Sequence, residues 1–240
     1  SAYQDRVLRD LPCRRLQLDE IWAFCYAKQR NVMTAKAAPE EAGDIWTWVA
    51  IDAETKLVPS WRIGDRGGET ATEFVCDLSK RLAHRVQVTS DGHRAYLEAI
   101  EAGFGADVDY AQLIKLYGET PHPAGRYSPA QIQGTTTFCC TGKPDPRHIS
   151  TSYVERQNLT MRMSMRRFTR LTNGFSKKAE NHAHSVAIHF MHYNFVRIHQ
   201  SLRVTPAMAA GVTTKLWSLV DMVRVIEERE DLRSGVALVG

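Results

Sequence analysis

The sequence predicts an α/β protein built on a mixed five-stranded sheet, and three observations carry that expectation. Apolar and aromatic runs that read as strands fill the first half of the chain. Amphipathic stretches interrupt them from about residue 69, and the chain beyond about residue 150 has helical spacing. Consecutive strands followed by strand–helix alternation give a sheet with mixed strand directions and helices on its faces.

The elements follow in order. "LQLDEIWAFCYAK", "DIWTWVAIDA" and "LVPSWRIG" are three successive strands, the last two joined across the turn-like "ETK". "ETATEFVCDLSKRLA" places Ala71, Phe74, Val75, Leu78 and Leu82 at helical spacing. "RVQVTSDG" is a short strand ending in a Ser-Asp-Gly turn, "HRAYLEAIEAGFG" is a helix stopped by glycine, and "VDYAQLIKLYG" is the fifth strand. Residues 119–150 hold five of the nine prolines and read as a long irregular insertion, with a hairpin at "QIQGTTTFCC". Loops of that length are uncommon unless functional. Helices are expected over 152 to about 172 and 176 to about 200, then after Thr205-Pro206, a favourable cap and first-turn pair. The resulting division is a lead segment over 1–15, a sheet domain over 16–175, and a helical part over 176–240 that packs on it or extends it.

Composition narrows the class. With 43% hydrophobic residues, five Trp and 24% charged residues, the chain is neither disordered nor of low complexity. Five cysteines without a C-x-x-C pair support neither a zinc ribbon nor a disulfide framework. No apolar run approaches the roughly 18 residues of a membrane span, so a soluble, cytoplasmic protein with reduced thiols is expected. The chain opens on Ser1 rather than Met, which suggests trimming at that end. Net charge is only +4, yet seven basic residues and no acidic one lie between Arg156 and Lys178. Such a run suits double-stranded DNA better than a merely solvated helix face.

Three carboxylates stand out by position: Asp19 in the first strand, Asp91 just after the fourth, and Glu155 at the head of the helix after the insertion. Strand carboxyl ends are where sites form in open α/β sheets. Carboxylates gathered from distant segments repel one another unless cations neutralise them, and oxygen-only ligands favour Mg²⁺ or Mn²⁺. Two such ions can activate a nucleophile and stabilise the leaving oxygen of a phosphodiester. At about 100° per residue, Arg162 and Arg166 project within about 20° of Glu155, while Val154, Met161, Met165 and Phe168 cluster elsewhere.

"LQLDEIWAF", "DIWTWVAIDAETKLVPSWRIG", "TSDGHRAYLEAIE", "TSYVERQNLTMRMSMRRFTRLTNGFSKK" and "YNFVRIHQSLRVTPAMAAGV" resemble the catalytic domain of bacterial DDE-type transposases of the insertion-sequence-one family, over roughly residues 16 to 212. The resemblance implies a ribonuclease H-like fold, shared with retroviral integrases, with Asp19, Asp91 and Glu155 as catalytic and metal-binding triad for two Mg²⁺ or Mn²⁺ ions. It implies hydrolysis at transposon ends to free a 3′-hydroxyl that attacks target DNA, with Arg156, Arg162, Arg166, Arg167, Arg170, Lys177 and Lys178 on the DNA. A homodimer or larger assembly follows by analogy, because two ends must be joined. Such transposases usually carry an N-terminal zinc-binding or helix-turn-helix part, and nothing like it precedes Leu16.

Each residue also has a plainer role. "SYVE" at 152 to 155 is an S-x-x-E capping box, in which Ser152 caps the helix and Glu155 bonds back to its amide. Asp19 adjoins Glu20, and either can ligate metal. Asp91 precedes glycine and is a candidate turn former, as is Asp52. The five histidines from His182 to His199 lack compact ligand spacing and are expected to pack or touch phosphate. "HAH" with Tyr193 mimics a His-x-His nuclease, but on a helix those histidines diverge by about 200°. A silent, domesticated transposase that binds DNA without cutting it is the alternative.

Overall fold

A computed structural model describes residues 2–118, 132–169 and 172–234. Helix α1 (Ala2–Val7) leads into strands β1 (Arg15–Cys25), β2 (Gly43–Asp52) and β3 (Trp61–Gly64). Helix α2 (Gly68–Ser79) crosses to β4 (Val86–Ser90), α3 (Ala95–Phe104) crosses to β5 (Val108–Tyr117), and β6 (Ile132–Thr141) returns beside it. Helices α4 (Ser152–Ser164), α5 (Ala179–Met191), α6 (Pro206–Ala209) and α7 (Leu219–Ser234) follow. The strand order is β3-β2-β1-β4-β5-β6. β1 to β3 form an antiparallel meander, β4 and β5 run parallel to β1, and β6 is antiparallel to β5. This mixed sheet flanked by helices is compatible with a ribonuclease H-like fold.

Among the described residues the sheet therefore has six strands rather than the expected five. The sixth lies in the stretch read as irregular: "IQGTTTFCCT" pairs with β5 from Tyr117↔Ile132 to Tyr110↔Thr141 instead of folding on itself as a local hairpin. Its run of β-branched threonines favours extended backbone, and the free edge of β5 supplies the hydrogen-bond partner. Residues 119–131, the remainder of the expected insertion's proline-rich start, lie outside the described residues. The third strand is shorter than "LVPSWRIG", beginning at Trp61, and Asn194 takes the place of a neighbouring strand at Val58. Its Oδ1 accepts the Val58 amide and its Nδ2 donates to the Val58 carbonyl, both at 3.0 Å.

Alternation along β1 sends its residues to two cores. Leu16 and Leu18 pack with Phe74, Leu78, Tyr96 and Ile100 of α2 and α3. Ile21, Ala23 and Cys25 pack on the other face with Val154, Met161, Val186 and Phe190 of α4 and α5. Gln17 and Asp19 belong to this second set, so they face α4. Helix α1 meets the segments after α5 and before α7 where Tyr3, Phe195 and Trp217 form a ring cluster with centroid separations of 5.0–5.7 Å. No helix among the described residues is long and apolar enough to cross a membrane.

"HAH" lies within α5, and Tyr193 is buried with its hydroxyl donated to the Lys56 carbonyl at 3.0 Å, so neither can build a His-x-His nuclease. His182 is fully buried, with Nδ1 3.1 Å from the Ser176 hydroxyl. Burial, reinforced by Arg167, pushes its pKa from 6.5 down to about 4. The unfolded chain therefore binds the proton more readily, and stability present above pH 6.5 is lost as pH falls toward 4. The full loss from this one group is about 3 kcal/mol. Urea midpoints measured across that window should drop with acidification, and His182→Gln should flatten the slope; an equal slope in the variant would refute the assignment.

Candidate active site

Strand register builds the first half of the site. β1 pairs with β4 up to Leu18↔Ser90, so the next residues on each strand, Asp19 and Asp91, emerge side by side at the carboxyl end of β4. Asp91 keeps the turn role its glycine neighbour suggested, since its Oδ1 accepts the His93 amide at 2.9 Å. Gly92 is pressed against β5: a β-carbon there would lie 2.9 Å from Ile114 Cγ1. β5 continues past the end of β4, and its overhang carries Lys115.

Helix α4 supplies the second half, and β1 fixes where it starts. The Gln17 side-chain oxygen accepts the Tyr153 amide at 2.7 Å and the Val154 amide at 3.1 Å, satisfying two of the helix's otherwise unpaired first-turn donors. One turn beyond Glu155, Asn158 Nδ2 donates to Asp19 Oδ2 at 2.8 Å. Gln17 and Asp19, two residues apart on one strand face, thus hold α4 at two points. The expected capping box does not form. Thr151 occupies the cap position, Ser152 is already the first helical residue, and its amide donates to Ser150 Oγ at 3.2 Å. Glu155 is then the fourth helical residue, one past the position from which a capping box closes on the cap. Its Oε1 instead accepts the Thr151 hydroxyl at 2.5 Å and pairs with the Lys115 ammonium.

Asp19, Asp91, Lys115 and Glu155 line one cleft of about 500 Å³, with Arg66 and His93 at its wall. One carboxylate oxygen each from Asp19, Glu20 and Asp91 lies within 4.8 Å of the others, a grouping that includes Glu20 and not Glu155. Glu20 is already satisfied. Its side chain is 1% exposed, its Oε1 accepts Arg66 Nε at 2.7 Å and Nη2 at 2.6 Å, and its Oε2 accepts the Tyr96 hydroxyl at 3.1 Å. Burial and repulsion from Asp91 still raise its pKa against the pull of Arg66. Asp19 has an amide donor but no such cation, and burial with repulsion from Glu20 and Asp91 pushes its pKa up to about 7. Asp19 and Asp91, crowded oxygen donors with no ion-pair partner among the described residues, are the kind of ligand Mg²⁺ or Mn²⁺ satisfies, so the residues present fit a divalent ion.

The basic run is less uniform than its helical projection implies. α4 ends at Ser164, Met165 is extended at φ −128° and ψ 112°, and Arg166 opens a separate short turn to Phe168. Arg166 therefore does not share the Glu155 face. With Arg167 and Arg197 it lines a different cavity of about 730 Å³ beside α5 and α7. Arg167 also donates to Ser176 Oγ at 2.7 Å. Arg156 and Arg162 do lie on α4, the first exposed and the second half-buried, while Lys177 and Lys178 are exposed just before α5. Arg170 lies outside the described residues. The inward face fares better: Val154, Met161 and Phe168 are buried together. Sequence reasoning missed Gln17, Asn158, Lys115 and Arg66. For Gln17 a signal exists, an amide two residues before Asp19 within an apolar strand; for Lys115 none does.

No protein-family model and no curated protein matches this chain. Solved structures similar to it include a chain of the simian T-cell lymphotropic virus intasome in complex with the PP2A regulatory subunit B56 gamma, at 11% identity and a TM-score of 0.49, covering 84% of this chain and 55% of that one. A piggyBac transposase synaptic complex with hairpin DNA aligns at 12% identity and a TM-score of 0.40, over 86% of this chain and 50% of that one. Endonuclease V from Bacillus subtilis aligns at 12% identity and a TM-score of 0.28, over 79% and 90%. This chain spans about half the length of the first two.

Proposed function

We propose that the chain is the catalytic domain of a DDE-type DNA transposase of the insertion-sequence-one kind, cleaving at transposon ends and joining the freed 3′-hydroxyl to target DNA. The observation that carries this is the cleft in which carboxylates from β1, the end of β4 and α4 meet. Asp19, Asp91 and Glu155 would hold two Mg²⁺ or Mn²⁺ ions. Once bound, the ions lower the pKa of the attacking water or hydroxyl and stabilise the leaving oxygen. Gln17 and Asn158 set the distance between Asp19 and Glu155, and Arg66 keeps Glu20 occupied so that it does not compete for the ions. Arg156 and Arg162 on α4, with Lys177 and Lys178 before α5, would hold the phosphate backbone; Arg166 and Arg167 extend that contact away from the cleft, and Arg170 joins the DNA set by its place in the basic run of the sequence. A dimer or larger assembly on DNA follows from the need to hold two ends.

Glu155→Gln tests the reading. Glutamine still accepts the Thr151 hydroxyl, and the Gln17 contacts to Tyr153 and Val154 do not involve it, so thermal stability should change little. Strand transfer of pre-cut ends should fall by roughly 10³-fold with DNA binding retained. Activity per folded molecule close to the unmodified protein's would sink the metal role of Glu155. Tight DNA binding by the unmodified chain without joining, in both Mg²⁺ and Mn²⁺, would establish the silent DNA-binding alternative.

A further inference from the structure

Two cation–carboxylate pairs border the cleft, and they differ in how easily they exchange. Arg66 grips a Glu20 side chain that is 1% exposed, with two nitrogens on one oxygen. Removing that guanidinium would strand a buried charge, so the pair is fixed. Lys115 and Glu155 are 23% and 41% exposed, and such half-solvated pairs contribute little net stability. Lysine also presents a compact point charge on a flexible stem, unlike the rigid guanidinium fork. Its position is dictated by β5, whose overhang past Ser90↔Gln112 carries it over the end of β4 next to Asp91.

We propose that Lys115 is an exchangeable counter-ion: it holds Glu155 while the cleft lacks a divalent ion, is displaced when one binds, and then contacts a phosphate of the DNA. This rests on the metal-dependent reading above. In the metal-free cleft the ammonium neutralises Glu155 and keeps its carboxylate, already tied to the Thr151 hydroxyl, turned into the site. A divalent ion offers twice the charge to the same carboxylate and to Asp19 and Asp91 as well. The released ammonium remains in the cleft wall, where an anionic backbone is its natural partner. Lys115 is thus a positioning residue in one state and a phosphate ligand in the other.

The test uses Mn²⁺ titration of the full chain by calorimetry, comparing the unmodified protein with Lys115→Met, Lys115→Arg and Asp19→Asn. Without a competing ammonium, Lys115→Met should bind Mn²⁺ about fivefold to tenfold more tightly, while Lys115→Arg should not gain. Binding of a short duplex across a salt series supplies the second readout. In saturating Mn²⁺ the Lys115→Met slope should be shallower by about one counter-ion; without metal it should equal that of the unmodified protein. If Mn²⁺ binds the unmodified chain, is lost in Asp19→Asn, and binds Lys115→Met no more tightly, the counter-ion role falls and the metal site stands. A tighter Mn²⁺ affinity with unchanged slopes in metal overturns the phosphate contact. No Mn²⁺ binding by the unmodified chain overturns the metal reading and the proposal with it.

Discussion

Asp19→Asn should lower strand transfer by roughly 10³-fold and at the same time raise the thermal stability of the metal-free protein. Folding forces Asp19 beside Glu20 and Asp91, and its pKa rises from 3.8 to about 7. A carboxyl whose folded pKa is raised contributes stability that is fully present below 3.8 and is lost as pH climbs through 7. The cost of ionising it in the folded state is at most on the order of 4 kcal/mol, and water in the open cleft reduces that figure. Asparagine carries no charge to repel, and its side-chain oxygen can still accept the Asn158 amide. The variant should therefore melt several degrees higher than the unmodified protein above pH 7, converge with it near pH 4, and lose roughly 10³-fold in joining. Saturating Mn²⁺ should close the stability gap by stabilising only the unmodified chain. Melting curves at two pH values, with and without metal, check all of this; a variant less stable at both would show that the crowding of Asp19 is already relieved.

Gln17→Ala should have the second-largest effect, on stability and catalysis together. Gln17 is 3% exposed and its oxygen takes two amides from the first turn of α4. Alanine leaves the buried Val154 amide and the part-buried Tyr153 amide without a partner, at about 1–3 kcal/mol for the buried one before relaxation, so a loss of about 2–3 kcal/mol in unfolding free energy is expected. Joining per folded molecule should also fall by about 10²-fold, because a shift of about 1 Å in Glu155 relative to Asp19 costs that much. Asn158 remains as the other tie, and Gln17→Ala with Asn158→Ala should be worse than the sum of the two. Denaturant unfolding and strand transfer at matched folded fractions decide it. A variant that is destabilised yet fully active when folded would make Gln17 a support for the fold alone.

Much of the architecture is legible in the residues, and the exceptions have physical causes. β1 and β2 are largely buried on both faces and carry apolar and aromatic residues on both, which is why their runs are unmistakable. β6 escaped because it is an edge strand, exposed nearly throughout, so no apolar alternation marks it. The end of α4 at Ser164 carries no glycine or proline; the break comes from Phe168 being drawn into the core beneath β1 and α5. The capping box failed because the cap was supplied from another element, by Gln17, and no local tetrapeptide can report that. Asp91 is readable as a site residue because it follows the end of a strand; that it lies beside Asp19, midway along β1, comes from the parallel pairing of β1 with β4. Lys115 was not, since a lysine at the end of a strand looks like ordinary surface solubility.

The ties from β1 to α4 span 136 and 139 residues of sequence. During synthesis, β1 and β4 can pair and bring Asp19 beside Asp91 long before α4 has left the ribosome. The nascent chain then holds two of the three carboxylates and lacks both the third and the clamp that would seat it. On the proposed reading, a metal centre that needs contacts this distant in sequence stays incomplete until α4 has emerged. A product stalled before α4 would hold Asp19 and Asp91 without Glu155 or the Gln17 and Asn158 ties.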